Sequence, residues 1–264
     1  MALRLLSGKL ALVTGSTSGI GLGVAEALAA SGANLILNGF GSQQDIQAIV
    51  KRLSDQYKVS VDFQGADLGK YNEIEDMFTQ INKKKPVDIL VNNAGIQHVT
   101  PTESFPVDKW NQIININLNA VFYTTKLALP PMQKQNWGRI INIASAHGIV
   151  GSVNKSAYVA SKHGVVGFTK VVALENAKTG VTANCICPGF VLTPLVSKQI
   201  EDRAKANGVS FETEKANFLN EKQPSQEFVT PRELGELAVF LSTESARQIK
   251  GAAYNMDGGW LAQQ

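Results

Sequence analysis

Cysteine and histidine are scarce: the 264 residues hold two cysteines and three histidines. Cys185 and Cys187 lie in VTANCIC, an apolar stretch that reads as a buried strand, and no C-x-x-C pair occurs. Buried, reduced thiols are expected, with no zinc or other metal site. Strong charge of either sign is also missing. The net charge is +3 and the pI about 8.8, too mild to argue for a nucleic-acid partner. The one basic run, Lys83–Lys85, falls where a helix closes, and cations suit that end of the dipole. No apolar run approaches the roughly 18 residues needed to cross a membrane as a helix. The opening MALRLLSGKLALVTG is broken by Arg4, Ser7, Gly8 and Lys9 and carries no small-residue cleavage pattern, so LALV reads as a first strand rather than part of a leader. A soluble, cytoplasmic chain is expected. Linkers, low-complexity tracts and internal repeats are absent too, which predicts one domain over 1–264. At 44% hydrophobic, a chain of this length can bury a substantial core.

What is present is an alternation. Apolar, β-rich runs fall at 9–14, 33–38, 59–64, 87–92, 138–144, 181–187 and 252–256. Helical patterns separate them, at roughly 70–83, 108–134, 157–178 and 231–242 among others. Short apolar strands alternating with helices predict βαβ units: an α/β fold with a doubly wound, Rossmann-like parallel sheet covered on both faces. Ligands on such sheets bind at the carboxyl ends of the strands, where the winding reverses. The polar segment of about 194–222 breaks the rhythm and reads as a helical lid inserted over the sheet.

TGSTSGIG, Thr14 to Gly21, follows the first strand and opens a helix. Gly15 permits a tight turn, Gly19 lets the backbone approach a pyrophosphate, and Gly21 lets helix and strand pack closely. The helix N-terminus offers N–H donors to the phosphates. Further along stand Asn92-Asn93-Ala94-Gly95 after the fourth strand, Asn117 in a long helix, and Ser145 after the fifth strand. Tyr158-x-x-x-Lys162 and Pro188-Gly189 follow. In these motifs and their order, over nearly its whole length, the chain resembles the short-chain dehydrogenase/reductase family.

That resemblance implies a hydride-transferring enzyme with Asn117, Ser145, Tyr158 and Lys162 as its catalytic set. Tyr158 and Lys162 share a helix face. A phenol near pKa 10 is a poor base at pH 7. An ammonium about 4 Å away contributes roughly 4 kcal/mol at an effective dielectric near 20, about three pKa units, which would bring Tyr158 near neutrality. Ser145 can orient the substrate oxygen. In the family Lys162 also holds the nicotinamide ribose, and Asn117 positions a water in a proton relay. The implied cofactor site comprises Gly15, Thr17, Ser18, Gly19, Ile20, Gly21, Phe40, Asp67, Leu68, Asn93, Ala94, Gly95, Tyr158, Lys162, Pro188, Gly189, Val191 and Thr193. Where such folds usually carry an acid for the ribose, this chain has Asn38-Gly39-Phe40-Gly41. No Lys or Arg occurs between Lys9 and Lys51 to meet a 2′-phosphate, so NAD is the expected cofactor.

Gln97, His147, Lys155, Gln199 and Trp260 remain. Together with Ser145 and Tyr158 they resemble the pocket of those bacterial family members that interconvert (R)-3-hydroxybutyrate and acetoacetate, and the run Glu221-Lys222-Gln223-Pro224-Ser225 matches as well. A short anionic substrate needs a cation and several donors. An NADPH-linked 3-oxoacyl-carrier-protein reductase is the rival enzyme, and a catalytically idle dinucleotide-binding regulator the rival of another class. The helix from Ala157 is apolar on several sides, which fits a subunit interface, and the family implies a homotetramer.

Overall fold

The computed structural model describes residues 4–263. Its elements run β1 (Leu10–Val13), α1 (Gly19–Ala30), β2 (Asn34–Asn38), α2 (Gln43–Tyr57), β3 (Val61–Gln64), α3 (Tyr71–Lys84) and β4 (Ile89–Asn92). There follow α4 (Val107–Ile114), α5 (Ala120–Lys134), β5 (Gly138–Ile143), α6 (Ser156–Glu175), β6 (Val181–Pro188), α7 (Pro194–Asn207), α8 (Phe211–Asn220), α9 (Pro231–Ser242) and β7 (Ala253–Met256). The seven strands form one sheet in the order β3-β2-β1-β4-β5-β6-β7, and every pairing is parallel. The chain therefore winds outward from β1 to β3, then returns across β1 to β4 and winds the other way. The reversal lies between β1 and β4, and it opens a crevice at their carboxyl ends.

Strand alternation explains the two helical layers. Ala11, Val13, Leu35, Leu37, Ile89 and Val91 face one side and pack with Val24, Leu28, Leu53, Leu234 and Leu241 of α1, α2 and α9. Their neighbours Leu12, Ile36, Leu90 and Ile140 face the other side and pack with Ile74, Phe78, Met132 and Val172 of α3, α5 and α6. Both faces are thus apolar, which is why the strands read as continuous apolar runs.

The pattern at 108–134 resolves into α4 and α5, joined by one wide π turn over Asn115–Asn119. α7 and α8 form the insertion, each separately capped. Thr193 accepts from Val196 N–H and Pro194 opens α7, which ends at Gly208 in the left-handed region (φ 66°). Ser210 caps α8. Arg203 of α7 pairs with the buried Glu214 of α8 at 2.7 Å and with Glu221 just beyond it.

Candidate active site

The carboxyl ends of β1 to β6 and the first turns of α6 build the site. After β1 the chain turns on Gly15 (φ 60°). Asn93, just past β4, donates its side-chain amide to the carbonyls of Thr14 and Gly15, both at 3.0 Å, and so ties the two strand ends at the winding reversal. A Cβ at Gly21 would strike the Gly15 carbonyl and this Asn93 amide, so the close fit of turn and helix requires glycine there. Asn38, at the end of β2, is buried and donates to the carbonyls of Gln64 and Ala66 at 2.9 and 3.0 Å. Its amide is turned inward, and Gly39 and Phe40 frame the rim in place of the usual acid. Thr17 holds this rim by donating to Phe40 O at 2.8 Å.

These ends open into one elongated cavity of about 500 Å³. All the expected cofactor residues line it except Gly21, which lies beneath the turn, and all seven expected substrate residues line it. Asn117 does not. Its side chain is buried, accepting from Ile96 N–H at 2.9 Å and donating to Ile96 O at 2.9 Å and Ser161 Oγ at 3.2 Å. It clamps the segment of chain that leads to Gln97. Lining residues that the sequence reading missed include Ile96, Phe190, Val196 and Phe218. Phe190 directly follows Pro188-Gly189, which is the signal that could have found it; Phe218 offers none, since only the folding back of α8 brings it there.

Ser145, two residues past β5, caps a short turn, its Oγ accepting from His147 N–H at 3.2 Å. Across from it stand Lys155, the residue that precedes α6, and Tyr158 and Lys162 of α6. Lys162 Nζ donates to Ile143 O at 2.8 Å and lies 5.6 Å from the Tyr158 ring centre. Burial pushes the Tyr158 phenol up, with the Ser145 hydroxyl drawing it partly back. Burial also pushes the Lys162 ammonium down, to about 8. The Lys162 ammonium is held by the Ile143 carbonyl. Desolvation disfavours the charged form of each group, so burial opposes the lowering of the phenol that is expected of Lys162.

His147 is pushed down to about 3, first by burial and then by the charges of Lys155, Lys222 and His163. Its Nε2 is buried with no partner among the described residues. The ring meets Trp260 edge-on at 5.0 Å and Tyr158 at 6.1 Å. Phe190 packs on Trp260 at 5.1 Å and on Phe218 at 4.3 Å, closing this end with aromatic rings. Burial also lowers Lys155, Lys222 adds to the effect, and Glu221 opposes it. The two cationic side chains lining the cavity, Lys155 and Lys162, both lie at the Tyr158 end. The arrangement offers a long, glycine-lined crevice for a dinucleotide, a proton-transferring phenol at its end, and a small cationic pocket beyond. Cys185 and Cys187 lie buried and free beneath it, and burial raises their thiols to about 11 and 12.

Residues 9–204 match the family model described as short chain dehydrogenase. The chain belongs to this family. This short-chain dehydrogenase is 60% identical over 260 residues, 98% of the chain and 100% of the relative, to a D-beta-hydroxybutyrate dehydrogenase of Cupriavidus necator. It is 50% identical over 256 residues, 97% of the chain and 99% of the relative, to a D-beta-hydroxybutyrate dehydrogenase of Rhizobium meliloti. Among solved structures, an L-sorbose reductase from Gluconobacter frateurii complexed with NADPH and L-sorbose superposes with a TM-score of 0.93 at 30% identity, covering 98% of each chain.

Proposed function

We propose that this enzyme oxidises (R)-3-hydroxybutyrate to acetoacetate, reversibly, with NAD as the partner. One observation carries the reading. The cavity ends in a pocket that joins Ser145 and Tyr158 to Lys155, His147, Gln97, Gln199 and Trp260, a redox set beside a cationic, aromatic-walled space. The names of the two relatives at 60% and 50% identity support the same substrate.

A nicotinamide dinucleotide fits the crevice. The glycine turn leaves room for backbone approach and the α1 N-terminus faces it. NAD rather than NADP is supported by the rim: Asn38 is spent on backbone carbonyls, Phe40 is 73% exposed beside it, and the lining cations sit at the other end. When bound, the dinucleotide supplies the hydride acceptor.

Tyr158 handles the proton on the alcohol oxygen, accepting it as phenolate during oxidation and returning it as phenol during reduction. A charged Lys162 on the same helix face favours the phenolate, working against burial. Ser145 Oγ accepts from His147 N–H, which leaves its own proton for the Tyr158 oxygen and the substrate oxygen beside it. His147 is neutral at working pH, and its unpartnered Nε2 together with the Lys155 ammonium holds the carboxylate. Gln97 and Gln199 complete the polar contacts. Asn117 holds Ile96 and through it the pocket wall, and a water ordered beside it would carry the proton relay outward. The chain acts as one domain, a cytoplasmic homotetramer, with the insertion of about 194–222, α7 and α8, as a lid over the crevice.

The test is the appearance of reduced cofactor at 340 nm. (R)-3-Hydroxybutyrate with NAD should react at least about tenfold more efficiently than with NADP, a difference of about 1.4 kcal/mol. Preference for NADPH and an acetoacetyl thioester would replace this reading with a 3-oxoacyl reductase.

A further inference from the structure

Beyond the groups assigned to the carboxylate lies another cation with no role so far. Lys222 stands just after α8, where the insertion returns to the sheet. Its N–H and that of Gln223 both donate to Leu219 O, at 3.2 and 2.9 Å. The side chain of Gln223, 1% exposed, accepts from Phe190 N–H at 2.7 Å. Ser225 N–H donates to Gly258 O at 3.0 Å. The backbone around Lys222 is therefore fastened both to the end of β6 and to the turn that leads into Trp260.

The side chain continues in the same direction. Lys222 Nζ lies 5.0 Å from the Trp260 ring centre and donates to Ser152 Oγ at 3.4 Å. Trp260 meets His147 edge-on, and His147 meets Tyr158. A cation, an indole, an imidazole and the reacting phenol thus stand in one contact chain. The adjacent carboxylate, Glu221, is taken by Arg203, which leaves the Lys222 ammonium with a hydroxyl and a ring. Lys222 disfavours the charged forms of both Lys155 and His147. Two lysines that repel each other across a half-buried pocket are unfavourable by themselves, and they become favourable once an anion enters.

We propose that Lys222 is a positioning and specificity-determining residue: it braces Trp260 against His147 and supplies a second positive charge that selects an anionic substrate. The inference rests on the carboxylate reading given above. Lys155 holds the anion directly, and Lys222 acts through the ring and through the field. It also makes the end of the insertion part of the pocket, since α8 delivers it.

The experiment compares (R)-3-hydroxybutyrate with its uncharged methyl ester in the parent, in Lys222→Met and in Lys222→Arg. Lys222→Met keeps the stem and removes the charge. It should raise KM for the acid about three- to tenfold, as expected for one partly screened charge, and leave the ester within about twofold. Lys222→Arg keeps the charge and stacks on indole, and it should restore the acid. KM for NAD should stay unchanged in both. A merely structural role would move acid and ester together. An unchanged acid-to-ester ratio in Lys222→Met overturns the proposal. Thermal midpoints and dinucleotide binding report folding, and if Lys222→Met does not fold, Lys222→Gln carries the same comparison. A parent enzyme that ignores the ester substitution refutes the carboxylate reading instead.

Discussion

Replacing His147 by asparagine removes the titratable ring whose protonation the fold opposes most clearly. In the folded protein the imidazole is held at about 3 by burial and by Lys155, Lys222 and His163; in the unfolded chain it returns to about 6.5. Between those values the unfolded chain binds a proton that the folded chain refuses. Stability is therefore whole above pH 6.5 and declines as pH falls through this window, by about 1.4 kcal/mol per pH unit. Lowering the pH from 6.5 to 5 should remove about 2 kcal/mol through this residue alone. The ring is 5% exposed, so solvent screening reduces this only a little. The shorter amide in His147→Asn would lose the edge contact to Trp260, which lowers stability by a constant amount at every pH. The slope therefore carries the information. Denaturant unfolding of both proteins at pH 7, 6 and 5, at fixed protein concentration and ionic strength, measures it. The parent should lose about 2 kcal/mol more than the variant across the window. Equal losses would mean that His147 protonates freely in the folded protein, and its role as a neutral contact would fall.

Other expectations follow from the same geometry. Tyr158→Phe keeps the ring and removes the proton carrier, so turnover should fall at least about a hundredfold while dinucleotide affinity, read by fluorescence titration, holds. Gly21→Ala places a methyl group against the Gly15 carbonyl and the Asn93 amide; dinucleotide binding by calorimetry should weaken at least about tenfold, and normal binding would show that the turn can move aside. Amide exchange in α7 and α8 should slow when cofactor and substrate bind together, and unchanged exchange would make the insertion a static cover.

The elements were legible because their signals are local. Seven apolar runs became seven strands, since a sheet covered on both faces needs apolar residues on both faces. The glycine turn, Ser145 and the Tyr158–Lys162 pair sit at strand ends or on one helix face, where short-range spacing already places them. The remainder depends on contacts distant in sequence. Asn38 looked like a missing acid, yet its amide is fastened to Gln64 and Ala66, 26 and 28 residues away. Asn117 is fixed by Ile96. The ionisation of Tyr158 could not be reasoned from a four-residue spacing, because the carbonyl of Ile143 draws Lys162 and burial opposes both charges. Lys222 sits inside a recognisable run, but only the return of α8 to the sheet sets it over Trp260.

The central claim is that a carboxylate is recognised beside the redox set. The direct measurement is kcat/KM for (R)-3-hydroxybutyrate against its methyl ester at saturating NAD, in the parent and in Lys155→Met. A charge-assisted contact contributes roughly 1.5–3 kcal/mol. The parent should therefore prefer the acid by about tenfold or more, and Lys155→Met should lose most of that preference while KM for NAD stays in place. Acid and ester reacting equally well in the parent would contradict the account and leave a dehydrogenase whose substrate is not a carboxylate.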